Sequence, residues 1–183
     1  MKYPCLLAVL GAAAVVLVPQ ATARQRASAH GTRPEPAEMA RLMDGIVERR
    51  DETWRWQRLM HRRRTPYRAT AERILSLPYR KWVYRLWDDR AAKAKTQALN
   101  PPHRAEWMCI HHYEGSWTDP DAPYYGGLQM DRQFQSEYAP ELLRAKGTAD
   151  HWTPVEQMWV AERAYRERGF WPWPNTARYC GLL

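Results

Sequence analysis

Glu114 is the residue whose setting most favours proton transfer. A helix is predicted from about Pro102 through Trp107-Met-Cys-Ile-His-His-Tyr-Glu114, and it ends at Gly115, a residue type that commonly terminates helices. Trp107, Ile110 and Glu114 follow one another at steps of three and four residues, so they share one apolar face. Because burying a charged carboxylate on such a face is costly, Glu114 is a candidate general acid. An exposed glutamate at a helix end is the alternative that the spacing leaves open.

A tryptophan-bearing turn and a double glycine follow Glu114. The segment Gly115-Ser-Trp117-Thr-Asp-Pro-Asp-Ala-Pro123 is rich in turn-forming residues, and Tyr124-Tyr-Gly-Gly-Leu-Gln-Met130 leads into another helix at Asp131. The pair Gly126-Gly127 allows the backbone to lie close beneath a bound sugar, or it simply makes a tight turn.

In this order and with this spacing, the motifs resemble the catalytic core of resuscitation-promoting factors, which are lysozyme-like, lytic-transglycosylase-like cell-wall enzymes. The resemblance continues through Val160-Ala-Glu-Arg163, Gly169 and Trp171-Pro-Trp-Pro174, and it covers roughly residues 101 to 183. It implies that Glu114 is the catalytic glutamate. It also implies a saccharide cleft lined by four further residues: Trp117, Tyr124, Tyr125 and Gln129.

Two features depart from the family's pattern. The interval between Glu114 and the tyrosine pair is shorter, which implies a reshaped cleft wall. The family's first cysteine directly precedes the glutamate, whereas Tyr113 stands there in this chain and the cysteine is Cys109. The last cysteine, Cys180, also lies further beyond the Trp-Pro unit.

The implied reaction is cleavage of the β-1,4 glycosidic bond between muramic acid and glucosamine units of peptidoglycan. Glu114 would protonate the leaving oxygen and then act as the base that lets the muramic acid's own C6 hydroxyl attack, which gives an anhydro product. A hydrolase would need a second carboxylate, for which Asp119, Asp121 and Asp131 are candidates. Each of these aspartates also suits a turn or a helix cap. Glu162, in the Val-Ala-Glu-Arg motif, is interpreted as structural.

A zinc site is the competing interpretation of the same helix. His111 and Glu114 form an H-x-x-E pattern, and His151 is a conceivable third ligand. Such pairs arise often by chance, and the sequence has no H-E-x-x-H motif. We therefore predict no metal and no cofactor.

The predicted fold is mostly α (α+β, lysozyme-like), with a compact domain over residues 101–183. Thr153-Pro-Val-Glu156 is a capping box, which predicts a helix that ends near Gly169. The chain has ten Trp and ten Tyr but two Phe, an excess of amphipathic rings that suits surfaces stacking on sugars or bases. Four tryptophans of the domain are candidates either for stacking on sugars or for the core: Trp117, Trp152, Trp171 and Trp173. At least half of them should fill the core, because a domain this small needs large apolar groups.

The amino-terminal residues predict secretion. Lys2 precedes an apolar run from Cys5 to Val18, and Ala21-Thr22-Ala23 is a small-residue cleavage site, so residues 1–23 are predicted to be a signal peptide cut after Ala23. No apolar run approaches the length of a membrane span, and Cys5 stands before the run rather than after it, which argues against a lipid anchor. In an oxidising compartment the two remaining cysteines, Cys109 and Cys180, should form a disulfide.

Charge divides the remaining sequence. Residues 24–106 contain 20 Lys and Arg against 10 Asp and Glu, whereas residues 107–183 contain 7 against 10. Residues 24–37 are a predicted flexible linker, and residues 38–100 a basic amphipathic helical arm with one helix from Glu38 to Arg64 and another from about Tyr79.

Three interpretations of this arm stay open: a solvated arm packed partly on the next domain, attraction to anionic wall polymers or a lipid surface, and nucleic-acid binding. Since an exported protein rarely meets nucleic acid, we predict no nucleic-acid partner. The main prediction is thus a secreted or cell-wall-associated enzyme acting on peptidoglycan strands. The alternative is a non-catalytic wall-glycan-binding protein that uses the same cleft.

Overall fold

The computed structural model describes residues 36–68 and 75–183, which lie within one compact unit, residues 35–183. The predicted signal peptide and most of the predicted linker lie outside the described residues. The described part is mostly helical, as predicted, whereas its lysozyme-like character stays a prediction. None of the helices described has the length and apolar character needed to cross a membrane. In chain order the elements are α1 (Pro36–Leu59), α2 (Leu77–Ala98), α3 (Arg104–Glu114), β1 (Tyr124–Tyr125), β2 (Met130–Asp131), α4 (Arg132–Tyr138), α5 (Pro140–Lys146), a short 3₁₀ helix (Ala149–His151), α6 (Pro154–Arg168) and α7 (Pro174–Tyr179).

The first predicted helix is too long at its carboxyl end. It stops at Leu59 instead of Arg64, because His61 adopts a left-handed backbone with φ of 55°. The chain then turns back along α1, where Trp54 Nε1 donates to Thr65 O at 2.8 Å and the Gln57 amide holds both the amide and the hydroxyl of Thr65. We call residues 60–68 the returning segment.

Because the chain returns before α2 begins, α1 and α2 run parallel, and we call them the helix pair. Ion pairs join residues in rising order along both helices, Glu38 to Lys81 and Arg49 to Asp88. Gly45 lets the helices approach closely, since a Cβ there would lie 2.7 Å from the Tyr84 ring. The buried residues between the helices are Ile46, Val83 and Trp87.

Helix α6 is the centre of the carboxyl-terminal half. The predicted capping box at Thr153 is confirmed, and Gly169 ends the helix as expected. Every residue from Gln157 to Ala164 is buried, so this helix is enclosed on all sides rather than on one stripe. Its Glu162 accepts hydrogen bonds from Trp107 Nε1 and from the backbone N–H of His103, both at 2.8 Å. Glu162 thereby fixes the start of α3, the helix that carries Glu114.

Helix α6 also joins the two halves. Trp159 is buried in a cluster with Met60, Ala94 and Ala98, and its Nε1 donates to Ala98 O at 2.7 Å. Arg163 Nη2 donates to Leu59 O at 3.3 Å. The last carbonyls of α1 and α2 therefore receive donors from α6 side chains, which satisfies groups that a helix end leaves unpaired.

Candidate active site

Glu114 is the last residue of α3, and a hydroxyl group holds its carboxylate. Trp107 and Ile110 are buried on the face predicted for them, whereas Glu114 is half-buried where the helix emerges. Thr176 Oγ1, from α7, donates to Glu114 Oε1 at 2.7 Å, and Thr176 is itself buried. Gly115 ends the helix with φ of 148°, a conformation that favours glycine. The carboxylate is thus positioned by two helices.

Asp119 and Gln129 lie beside the residue that follows Glu114. A Cβ on Gly115 would lie 3.3 Å from Asp119 Oδ2 and 3.6 Å from Gln129 Nε2. Gln129 Nε2 donates to Asp119 Oδ2 at 3.0 Å and to Gly126 O at 2.9 Å. The structure therefore places Asp119 and Gln129 against the backbone of Gly115, the residue that follows the predicted acid.

A groove of about 320 Å³ lies beside this cluster. Its lining includes Tyr124, Gln129 and Trp173, with charged side chains from Glu137 and Arg168. Tyr124 is 50% exposed, so its ring is available to a ligand. Trp173 lies three residues before Thr176, the residue that holds Glu114, so the start of α7 links the groove to the acid. The groove is polar and aromatic, and Gln129 is the member of the cluster that lines it, whereas Glu114, Asp119 and Thr176 are not among its lining residues.

Trp117 and Tyr125 do not line this groove. Trp117 stacks on His111 with ring centroids 4.0 Å apart and planes 24° apart, so the protein covers one of its faces. Tyr125 is partly buried against the main hydrophobic core. Of the four side chains predicted to line the cleft, Tyr124 and Gln129 meet in one groove. Trp117 and Tyr125 instead pack against other protein groups.

The glycine pair makes room for protein groups. A Cβ on Gly126 would lie 2.6 Å from Gln157 Oε1, and one on Gly127 would lie 2.5 Å from His111 Nδ1 and 2.8 Å from Trp117. The pair therefore allows close backbone approach to the side chains of Gln157, His111 and Trp117. An approach beneath a bound sugar stays a prediction.

Gln157, like Thr176, is a residue that sequence reasoning missed. It is fully buried on α6, its Oε1 accepts from Gly127 N at 2.9 Å, and its Nε2 donates to the carbonyls of Trp117, Ala149 and Trp152 at 2.8, 2.8 and 3.1 Å. This one amide fixes both sides of the loop that runs from Gly115 to Gln129. Nothing in the local pattern distinguishes it from a solvent-facing glutamine.

The other candidate carboxylates have simpler roles. Asp131 caps α4, since its Oδ1 accepts from Phe134 N at 2.7 Å. Asp121 is exposed, and its backbone N–H donates to Asp119 Oδ1 at 3.1 Å. Asp119 therefore combines the turn role predicted for it with a position at the cluster.

The residues of the zinc interpretation have other partners. His111 packs on Trp117, while His151 Nδ1 lies 3.0 Å from an Asp150 carboxylate oxygen. Within residues 36–68 and 75–183, no group of three or more His, Cys, Asp or Glu is arranged to hold a metal ion.

The predicted disulfide between Cys109 and Cys180 is confirmed. It ties α3, which carries Glu114, to the residue that follows α7, which carries Thr176. The tryptophans also divide as predicted, since Trp152 and Trp173 are buried and Trp171 is 62% exposed.

Comparison with known proteins gives no match, whether to family models, to curated proteins or to solved structures. The resemblance to resuscitation-promoting factors therefore depends on the motifs themselves.

Proposed function

We propose that this protein is a secreted, peptidoglycan-cleaving enzyme of the lytic-transglycosylase type, with Glu114 as its general acid and base. The observation that carries the proposal is the cluster at the end of α3, where Thr176 holds Glu114 and where Asp119 and Gln129 lie against Gly115. The motif order that resembles resuscitation-promoting factors supports the same assignment.

In this proposal Glu114 gives its proton to the glycosidic oxygen as the bond to the muramic acid C1 breaks. The carboxylate then takes the proton of the C6 hydroxyl, which attacks C1 and closes the anhydro ring. The Thr176 hydroxyl orients one carboxylate oxygen, so the other is left for the substrate. Tyr124 and Gln129 bind the sugar in the groove.

Asp119 is the group that could turn the same site into a hydrolase. A carboxylate beside the acid can serve as a nucleophile or activate water. Here, however, Asp119 Oδ2 accepts the Gln129 amide and Oδ1 accepts a backbone N–H. Because both oxygens are engaged, we favour the route in which the substrate's own hydroxyl attacks.

Digestion of purified peptidoglycan tests the proposal. The protein, Glu114→Gln and the control Glu106→Gln are incubated with the polymer, and the fragments are weighed by mass spectrometry. Glu106 lies on α3 two turns before Glu114, so the control makes the same chemical change on the same helix. We expect anhydro-muropeptides from the protein and the control, and none from Glu114→Gln.

The other outcomes contradict the proposal in distinct ways. Hydrated fragments that still need Glu114 would make the protein a muramidase, and Asp119→Asn would then abolish them. No fragments from any form, with the protein still sedimenting with the wall, would favour the non-catalytic binding protein.

A further inference from the structure

A second pocket lies on the helix pair, between the returning segment and α2. Its volume is about 460 Å³, within the range of small-ligand sites. The residues of its wall that bear on the argument are Tyr67, Arg68, Tyr79, Trp82, Trp87 and Arg90. None of the described residues that line it is acidic. The candidate active site uses none of these residues.

Aromatic rings form an open wall in this pocket. Tyr79 and Trp82 stack with centroids 5.6 Å apart and planes 29° apart, and Trp82 is 55% exposed. Trp87 is buried, and Tyr67 packs against it at 6.1 Å. Two exposed or partly exposed rings that stand together offer a surface that suits the apolar face of a sugar ring.

Two arginines supply the charge. The Arg90 guanidinium lies 5.0 Å from the centre of the Trp87 ring, an arrangement that leaves its N–H edges free for an anion. Arg68 is exposed on the returning segment. Among the described residues neither arginine has a carboxylate partner, whereas Arg49 is paired with Asp88 on the same helix pair. The pocket therefore combines stacking surface with unneutralised positive charge.

We propose that this pocket binds a saccharide ring that carries an anionic substituent, as in the acidic polymers of a bacterial wall. The aromatic wall would stack on the ring, and the Arg68 and Arg90 guanidinium groups would bind its carboxylate or phosphate. This inference rests on the proposed function, because secretion toward a cell wall favours a glycan over a nucleic acid. A concave pocket of this size also suits one or two rings better than a lipid surface.

Direct binding tests the inference with probes that the active site cannot cleave. Oligogalacturonate serves as the uronic-acid probe, a phosphomannan oligosaccharide as the phosphodiester probe, a neutral β-1,3-glucan oligomer as the uncharged probe and oligo-dT as the nucleic acid, all at one ionic strength. We expect at least one anionic glycan probe to bind, and whichever binds identifies the anion. Trp82→Ala and Arg90→Gln should each weaken that binding about tenfold, the size of one stacking contact or one charged hydrogen bond.

Matched variants keep the test specific. Arg85→Gln removes an exposed cation from the same helix but outside the pocket, and it should change affinity less than twofold. Trp82→Phe should restore most of the binding that Trp82→Ala loses. Thermal unfolding verifies that all variants remain folded.

Three results would overturn the inference: no binding of either anionic glycan, equal losses in Arg85→Gln and Arg90→Gln, or tighter binding of oligo-dT than of both glycans. The digestion assay uses wall stripped of acidic polymers, so the two proposals fail separately. If the protein cleaves stripped wall, but the Trp82→Ala variant binds the anionic glycan as tightly as the unmodified protein does, the proposed pocket is refuted and the proposed enzyme is not. A protein that binds through Trp82 and Arg90 but never cleaves refutes only the enzyme.

Discussion

The buried amide of Gln157 should control the stability of the loop that runs from Gly115 to Gln129. Replacing Gln157 by leucine keeps a side chain of similar size, so it leaves little cavity, but it removes every polar contact that this side chain makes. Gly127 N–H, Trp117 O and Trp152 O would lose the partners they have in the structure. Ala149 O would keep one hydrogen bond, from Trp152 N.

The expected cost follows from those three groups. Each buried polar group left unpaired costs about 1–3 kcal/mol, and the added apolar side chain recovers part of the sum. We expect Gln157→Leu to lower the free energy of unfolding by about 2–4 kcal/mol, a large part of the 5–15 kcal/mol that is usual for a domain. The same change should reduce cleavage of peptidoglycan, because the loop carries Gln129 and Asp119.

Urea unfolding followed by tryptophan fluorescence measures this effect. With a slope of about 2 kcal/mol per molar urea, the midpoint should fall by about 1–2 M. The matched control is Gln133→Leu, the same change at an exposed position, which should alter stability by less than about 0.5 kcal/mol. Equal midpoints for the two variants would refute the role given to Gln157.

Three further predictions concern the cross-link, the acid and pH. Replacing both disulfide cysteines by serine removes a closed loop of 71 residues, and it should lower the free energy of unfolding by about 4 kcal/mol in the chain-entropy account; an unchanged urea midpoint would contradict this. Thr176→Val removes the donor to Glu114 with little change in volume, so kcat should fall about tenfold at constant KM, and Thr176→Ser should restore it; a change in KM alone would show that the hydroxyl does not position the acid. Burial raises the pKa of Glu156, but the hydrogen bonds from Lys146 and Thr153 together lower it by more than burial raises it, so the pKa lies below the ordinary value of 4.5. The stabilisation from Glu156 is therefore complete above about pH 4.5 and is lost as pH falls through the folded pKa; the melting temperature of Glu156→Gln should fall less between pH 6 and pH 3 than that of the unmodified protein.

The helix ends were predictable where the signal is local. Gly115, Asp131 and the capping box at Thr153 end or begin helices as predicted, because each cap is formed by residues within four positions of one another. The end of α1 was not, since His61 took a left-handed conformation that usually belongs to glycine. A rule based on residue preference predicts a left-handed position where glycine stands, so it does not predict one at a histidine.

The site was predictable only as far as its motifs reach. Tyr124 and Gln129 lie close along the chain, and both line one groove. That Glu114 acts in the same cleft stays a prediction. Gln157 and Thr176 come from distant helices, and a buried glutamine or threonine has no signature in its neighbours. The parallel course of α1 and α2 was equally hidden, because it depends on where the returning segment packs.

Helix α6 explains why the basic and acidic regions, so different in charge, fold as one unit. The side chain of Trp159 hydrogen-bonds the end of α2, and that of Glu162 hydrogen-bonds the start of α3. The side chain of Gln157 hydrogen-bonds the loop that runs from Gly115 to Gln129. Trp159 and Glu162 share one side of the helix, Gln157 lies on the opposite side, and all three are buried. These side chains bind backbone groups of three separate segments, so the position of the helix pair and that of Glu114 both depend on this one helix.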